Sequence, residues 1–452
     1  MLWCEHAYHL YSAVPLIRKY GARGAAVEVF TSERYVDLAR GFADRQGGEP
    51  TVVVRSIDAY KSRWGAWLTA RFRRYVTPID FSPLYYVRLG RDRKRQTALE
   101  RTVGRLTRAR PGDDINARYS RVIRAASRLG LVETLPFEYD LVFAFTKVHH
   151  AYALVAYQSC LVAVMESWDH PSKEPYLLRP RRSLTWNDAL ARETRHFQRY
   201  DTVHAILPLK FRYIYEARHA SDAELAERVT AAALRADLAA LRRGGPYVLY
   251  PMCTASIHFG FEGELAFVRD LAAEVAAAGM RLYIRPYPLA PRADAERLAE
   301  ASPGIHVGPS DDRLDGTEVF DEAATAHKLL VTRGARVVVN TGTTFAFDAA
   351  LIGAPVVQLY FDEDDGSDFA ATINRQTHLK NYLLTERAVA YRPGRLAEAL
   401  SRADRRFADE LRDWLLNGRD PETIGAGLRG ASHGDDPASA STRSGRAPVP
   451  ET

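Results

Sequence analysis

Residues 335–362 read ARVVVNTGTTFAFDAALIGAPVVQLYFD, and the change of pattern inside this stretch decides the fold. Val337-Val338-Val339 is a β-branched run of the kind that lies buried on both faces of a sheet. It breaks into Asn340-Thr341-Gly342-Thr343-Thr344, a cluster with turn and N-cap chemistry, and a helical pattern follows that stops at Gly353-Ala354-Pro355. A second apolar run, Val356 to Tyr360, completes a strand, turn, helix, strand unit, which belongs to a parallel sheet. In such a sheet the turn sits at the carboxyl end of the first strand, and its backbone N–H groups face outward with the helix dipole behind them. An anion fits there. The competing reading, in which Thr341, Thr343 and Thr344 only cap a structural helix, carries equal weight at this point.

Moving outward, the same alternation recurs on both sides. Upstream lie a strand at Tyr247 to Tyr250, a helix at Glu262 to Ala278, a strand at Arg281 to Ile284 running into Arg285-Pro286-Tyr287-Pro288, helices at Ala293 to Ala301 and His327 to Thr332, and a short strand at Ile305 to Val307. The first third repeats the scheme. Ser12 to Tyr20 reads as a short amphipathic helix and Ala26 to Phe30 as a strand, with Met1 to Cys4 as the stub of a preceding one. Farther on come a strand at Asp140 to Phe145, a helix from about His149 to Gln158, a strand at Leu161 to Met165 and one at Thr202 to Leu207. An Ala/Leu/Arg helix, Asp222 to Leu241, then leads to Arg242-Arg243-Gly244-Gly245-Pro246, the best boundary in the chain.

The expected class is therefore α/β, with two Rossmann-like domains facing each other across a cleft. Residues 1–243 form the first and 244–424 the second. Residues 425–452, rich in Gly, Ser, Asp and Pro, form a tail unable to bury enough apolar surface to fold. A chain of 452 residues with 46% hydrophobic content supports two cores of this kind.

Composition narrows the function. Three cysteines, Cys4, Cys160 and Cys253, make neither a disulfide framework nor a zinc pair, and no signal-like segment opens the chain, so a cytoplasmic setting is expected. The stretch Ala151 to Met165 is too short to span a bilayer. Charge is uneven. Residues 61–110 carry fourteen Lys and Arg against three acidic residues, a local balance of +11 in a chain of net +6. Trp64, Trp67, Phe72, Tyr75, Phe81, Tyr85 and Tyr86 are interleaved with them, which suits an anionic membrane surface, although a plain solvated face has the same weight. No zinc-finger, basic-zipper or RNA-recognition signature accompanies the charge, and no nucleic-acid partner is expected.

The chain also lacks the G-x-x-x-x-G-K-[ST] loop, a strand-linked G-x-G-x-x-G, H-E-x-x-H and a strand-linked G-x-S-x-G elbow. Asp362, Asp364, Asp365 and Asp368 read as a solvated acidic loop and not as metal ligands, so neither a metal nor a cofactor is expected. Strand ends of the second half bring Thr254 to His258, Arg285, Tyr287 and Thr341 to Thr344 to one edge. A diphosphate needs such hydroxyls, N–H groups and a fixed cation. Asp348, on the first turn of the following helix, suits a ribose or sugar hydroxyl or serves the helix dipole.

At these residues the chain resembles a family. ESWDHPSK, residues 166–173, is similar to the S-W-D-N-x-T-S-K stretch of bacterial surface-polysaccharide glycosyltransferases and the related glycerophosphotransferases. YIRPYP and the opening stretch resemble their Arg-x-His-Pro and Thr/Ser-rich donor segments. The resemblance implies the GT-B architecture and metal-independent transfer of a sugar, with inversion, from a nucleotide diphosphate to a surface-glycan or lipid-linked acceptor. His170 stands where the family often has Asn. Tyr287 replaces a His on which the glycerophosphotransferase branch leans, which favours sugar transfer.

The donor would be held by His258, Arg285, Tyr287, Thr341, Gly342, Thr343, Thr344 and Asp348. An acceptor base should come from the facing domain, with His9 first in line in the loop before the Ser12 helix, and His149, His150 and Asp169 as alternatives. A 2-epimerase-like enzyme and a non-catalytic polyanion-binding protein are the readings from other classes. For this enzyme a peripheral position at the inner face of the plasma membrane is expected, through residues 61–110.

Overall fold

The computed structural model describes residues 1–45, 52–74, 115–145, 150–167, 176–178, 182–198, 202–253, 261–287, 292–309, 322–361, 389–391 and 405–416, with single positions at 171, 394, 397 and 400. His149, Asp169, His258, the acidic residues 362–368, most of the basic segment (75–110) and the tail lie outside them.

Seven strands form the first sheet: β1 (Leu2–Cys4), β2 (Val27–Thr31), β3 (Val52–Ser56), β4 (Val142–Phe145), β5 (Leu161–Val164), β6 (Arg182–Thr185) and β7 (Val203–Ala205). Their spatial order is β3-β2-β1-β4-β5-β6-β7, and every pairing is parallel. Six strands form the second: β8 (Tyr247–Pro251), β9 (Arg281–Arg285), β10 (Ile305–Val307), β11 (Val337–Asn340), β12 (Val356–Phe361) and β13 (Val389–Tyr391), in the order β10-β9-β8-β11-β12-β13, again all parallel. Both are Rossmann-like sheets, and two in succession are the frame of a GT-B fold.

Strand chemistry explains why both faces of the first sheet are covered. Successive side chains of a strand point to opposite faces. Along β1, Leu2 and Cys4 join one core with Phe143, Phe145, Val162 and Val164, while Met1 and Trp3 join the other with Val142, Ala144 and Leu161. A strand apolar at every position is stable only between two helical layers. β11 meets the same condition. Val337, Val338 and Val339 are all buried, in register with Val248 and Leu249 on one side and Val356 and Val357 on the other.

Several boundaries differ from the sequence reading. The first helix spans Ala7–Gly21, five residues longer at its start, because His6 holds extended backbone and its N–H donates to His9 Nδ1 at 3.4 Å. Histidines thus open a helix where Ser, Thr or Asp would be sought, and Pro15 lies inside it. The stretch expected as a helix from His149 is a tighter 3₁₀ turn over Ala151–Tyr157. The long Ala/Leu/Arg helix is two, Asp222–Arg228 and Ala232–Arg243, split where Val229 leaves helical backbone. β3, β6 and β13 were not expected. Each is three to five residues long, and β6 is mostly polar, with Leu184 its single apolar residue beside Arg182, Ser183 and Thr185.

Helices preceding Gly244 are fastened to the second sheet. Arg333 donates to Arg218 O at 2.6 Å and Ala220 O at 2.8 Å. Buried Asp237 accepts from His306 Nε2 at 2.6 Å, His327 Nε2 at 2.8 Å and the Tyr283 hydroxyl at 3.0 Å. Burial alone would raise the Asp237 pKa, but the bonds from His306 and His327 outweigh it and hold the carboxyl below its ordinary range. One apolar core then runs between the sheets. Trp186 packs edge-on to Phe347 at 6.3 Å, and Asn187 Nδ2 donates to Trp414 O at 2.8 Å, so helix Arg405–Leu416 touches both halves.

Candidate functional site

In an open parallel sheet the strand order reverses at one point, where neighbouring connections leave in opposite directions and open a crevice at the carboxyl ends. The second sheet reverses between β8 and β11, and the first between β1 and β4. Both crevices are lined with polar residues, of different kinds.

At the second crevice, Asn340 shapes the turn after β11. Its Oδ1 accepts from Thr343 Oγ1 at 2.7 Å and Thr343 N at 3.3 Å, and its Nδ2 donates to Gln358 Oε1 at 2.6 Å. Gly342 sits at φ 132°, a backbone region open to glycine, and so lets the chain double back. Thr343 Oγ1 in turn accepts from Phe345 N at 3.3 Å, which closes the first turn of helix Phe345–Ile352. Thr341 and Thr343 are buried. Thr344 is the half-exposed N-cap, and its hydroxyl makes no bond to the helix.

Two cations reach this helix N-terminus. The Arg285 guanidinium, at the end of β9, lies over the Phe345 ring at 5.1 Å, and Lys328 Nζ, from helix Glu322–Gly334, lies over the same ring at 5.2 Å. Lys328 also pairs with Asp348 at 3.0 Å, both side chains being largely buried. Desolvation lowers the pKa of each cation, and Asp348 opposes the shift in both. Both cations thus stand at a helix N-terminus, where the dipole adds a partial positive charge. Tyr287 follows two residues after Arg285 and is partly exposed. The exit of β8 is pinned by buried Glu264, whose Oε1 accepts from Cys253 N at 2.5 Å and the Tyr250 hydroxyl at 2.8 Å.

At the first crevice the groups are acids and bases. Buried Glu5, directly after β1, accepts at Oε1 from Trp3 Nε1 at 2.9 Å, His150 N at 2.9 Å and His150 Nδ1 at 3.2 Å. Assigning the Nδ1 proton to this contact leaves His150 Nε2 as the proton acceptor, on a side chain that is 21% exposed. His9 has a different setting. It is fully buried in the first turn of helix Ala7–Gly21 and stacks on Phe145 at 5.4 Å, not in a loop before the helix. One turn on, Ser12 Oγ donates to Glu166 Oε2 at 2.8 Å. Glu166 follows β5 and is buried. Desolvation pushes its pKa up to about 8, with the Ser12 bond and the Lys210 charge opposing.

Glu5, Ser12, Glu166, Lys328 and Asn340 were not among the residues expected from sequence. Glu5, Glu166 and Asn340 each end or follow an apolar strand, which is a readable signal. Lys328 sits mid-helix and has none.

No family model and no curated protein matches this chain. Similar solved structures include the UDP-GlcNAc 2-epimerase of Methanocaldococcus jannaschii in complex with UDP-GlcNAc and UDP, 9% identical with a TM-score of 0.49, covering 95% of this chain and 97% of that one. The calicheamicin glycosyltransferase CalG4 is 15% identical with a TM-score of 0.43, covering 96% and 98%. The α,α-trehalose 6-phosphate synthase of Burkholderia multivorans is 13% identical with a TM-score of 0.45, covering 95% and 98%. At these values the fold rests on the topology described above.

Proposed function

We propose that this chain is a sugar-nucleotide enzyme, a glycosyltransferase that moves a sugar from a nucleotide diphosphate to a surface-glycan or lipid-linked acceptor, with inversion and without a metal. The observation that carries the reading is the pair Arg285 and Lys328 at the N-terminus of helix Phe345–Ile352, beside a hydroxyl-bearing turn at the switch point of the second sheet. A leaving diphosphate gains charge as the glycosidic bond breaks, and fixed cations beside the positive end of a helix dipole stabilise that charge without reorganising. Thr344, Arg285 and Lys328 would face the phosphates, and Asn340 and Thr343 would hold the turn.

The base belongs to the facing crevice. His150 Nε2 takes the acceptor proton in this proposal, and Glu5 orients the ring and stabilises the imidazolium that forms. His9, fully buried, is better suited to packing than to meeting an acceptor. Buried Glu5 and Glu166 supply the carboxylates a 2-epimerase-like reaction would need, so that reading stands second.

One experiment separates the classes. The protein is incubated with a panel of nucleotide sugars and CDP-glycerol, with and without lipid-linked acceptor. Acceptor-dependent release of nucleoside diphosphate supports sugar transfer. Release without acceptor supports the epimerase-like reading, release of CMP from CDP-glycerol supports glycerophosphate transfer, and turnover of nothing leaves a binding protein.

A further inference from the structure

We infer that the tip formed by Trp64, Leu129 and Leu131, with Arg63, Arg124 and Arg128 around it, docks on an anionic lipid bilayer. Trp64 is 57% exposed, Leu129 74% and Leu131 45%, and they account for three of the four large hydrophobic residues exposed among the described residues. Their positions follow from two packed helices. Thr69 and Phe72 of helix Arg63–Arg74 meet Tyr119 of helix Ile115–Arg128, through a hydroxyl contact of 2.9 Å and rings 5.3 Å apart. At the other end Ser62 Oγ donates to Leu131 O at 3.1 Å. Residue numbers rise along one helix as they fall along the other, so the helices are antiparallel. The start of the first, with Arg63 and Trp64, lies beside the end of the second, with Arg128, Leu129 and Leu131.

The leucines are held out by an ordered cap. Gly130 adopts φ +68°, its N–H donates to Ser127 O at 3.0 Å, and Leu131 N donates to Ala126 O at 2.9 Å. In a helix end of this type the residue after the glycine ordinarily packs back on the last turn. Leu131 stays half in solvent instead, and Leu129 almost wholly so. Charge supports the choice of partner. Tyr119, Ile123 and Ala126 bury one face of helix Ile115–Arg128, while Arg121, Arg124 and Arg128 line the opposite, exposed one. Neither helix contains an acidic residue. Asp113 and Asp114 precede the second helix at its far end, and the carboxylates nearest the tip in sequence are Asp58, paired with Lys61 at 2.5 Å, and exposed Glu133. A Trp and two Leu ringed by arginines match the layer where acyl chains meet anionic headgroups.

The tip also lies close to the first crevice. Ser62 N donates to the Tyr152 hydroxyl at 2.8 Å, and the Tyr152 ring meets the His150 ring at 5.9 Å. Docking there would bring a lipid-borne acceptor toward His150, a consequence that rests on the proposed transfer, whereas the docking itself does not.

The test is co-sedimentation of the full chain with phosphatidylglycerol and phosphatidylcholine vesicles. Wild type is expected to bind the anionic vesicles at low salt and to leave them at molar salt. The triple variant W64S/L129S/L131S should lose about tenfold or more in partitioning, and R124Q/R128Q about 25-fold, since each arginine near such a surface is worth roughly fivefold. Brominated acyl chains should quench wild-type tryptophan fluorescence far more than that of Trp64→Phe, which still binds. Equal binding to both vesicle types, unchanged binding by the triple variant, or equal quenching in Trp64→Phe would overturn the inference. So would tighter capture of a DNA oligonucleotide than of vesicles, lost in the same variants. Calorimetry of nucleoside diphosphate binding on the triple variant keeps the two proposals apart, because it should be unchanged whichever way the vesicle result falls.

Discussion

The two sheets share a topology around their switch points, yet the crevices are furnished in opposite ways. Around the exit of β11 the fold gathers an amide-built turn, a helix N-terminus and two cations, Arg285 from β9 and Lys328 from the preceding helix, that share one aromatic ring. After β1, β4 and β5 it supplies Glu5, His150 and Glu166, groups that hold or pass a proton. A shared topology therefore does not dictate chemistry. It dictates where chemistry can sit, and the few residues after each strand decide what it is. Under the proposed function the division is useful, because a leaving diphosphate and an acceptor hydroxyl need opposite help.

The comparison breaks most visibly if the roles are not separable. His150→Ala is expected to lower turnover by about 10²–10⁴-fold while nucleoside diphosphate affinity stays within about twofold. Glu5→Gln should fall between wild type and that variant, since the ring keeps a partner at Nδ1 but loses the charge behind it. Steady-state kinetics beside calorimetry reads both. A parallel loss of affinity in His150→Ala would mean that the crevices act as one.

Glu166 tests whether the first crevice stores a proton. Its carboxyl lies near pKa 8 in the fold against about 4.5 when unfolded, so the native chain keeps a proton that the unfolded chain has released. Stability should therefore fall as pH rises from about 4.5 to about 8 and level off above, by up to roughly 4–5 kcal/mol. Glu166→Gln removes this component. Denaturant melts at several pH values should show a flatter profile for the variant. If both profiles are parallel, Glu166 is ionised in the fold and the contrast with the cationic crevice weakens.

A smaller effect is expected on the other side. Arg285→Gln keeps a polar side chain but removes the charge and the guanidinium that lies over Phe345. Affinity for a nucleoside diphosphate should drop by about 1.5–3 kcal/mol, the usual worth of a charge-assisted bond, and turnover at saturation should fall too, because the charge that builds on the leaving group loses a fixed cation. The salt dependence of binding should drop with it.

How much of this was legible in the sequence depends on what each residue leans on. The strands of the second sheet, the turn at residues 340–344 and Arg285 were readable because each lies where an apolar run meets Gly, Pro or Thr. Lys328 was not, because its partner Asp348 is on the next helix and the two meet only through packing around β11. Glu5 and His150 are 145 residues apart and join because β1 and β4 are neighbours, a fact of strand order that no local pattern carries. β6 escaped because a four-residue strand with one apolar residue, Leu184, carries no strand pattern. The helix at Ala7 escaped because a histidine pair opens it.

The smallest expected effect separates two threonines that look alike in sequence. Thr343 is buried, with its hydroxyl donating to Asn340 Oδ1 at 2.7 Å and accepting from Phe345 N at 3.3 Å. Thr344 is half-exposed, and its hydroxyl makes no cap bond to its own helix. Thr343→Val should therefore cost about 1 kcal/mol or somewhat more of stability, because Asn340 and the Phe345 N–H each lose a partner in a site water reaches poorly. Any loss of ligand affinity would follow from a loosened turn. Thr344→Val should leave the melting temperature within about 1 °C and weaken nucleoside diphosphate binding by about 0.5–1.5 kcal/mol, the net worth of one hydroxyl bond. Thermal melts and calorimetry on the two single variants decide the matter. Should Thr344→Val bind as wild type does, the donor phosphates are held by backbone and cations alone, and the turn keeps its threonines for shape.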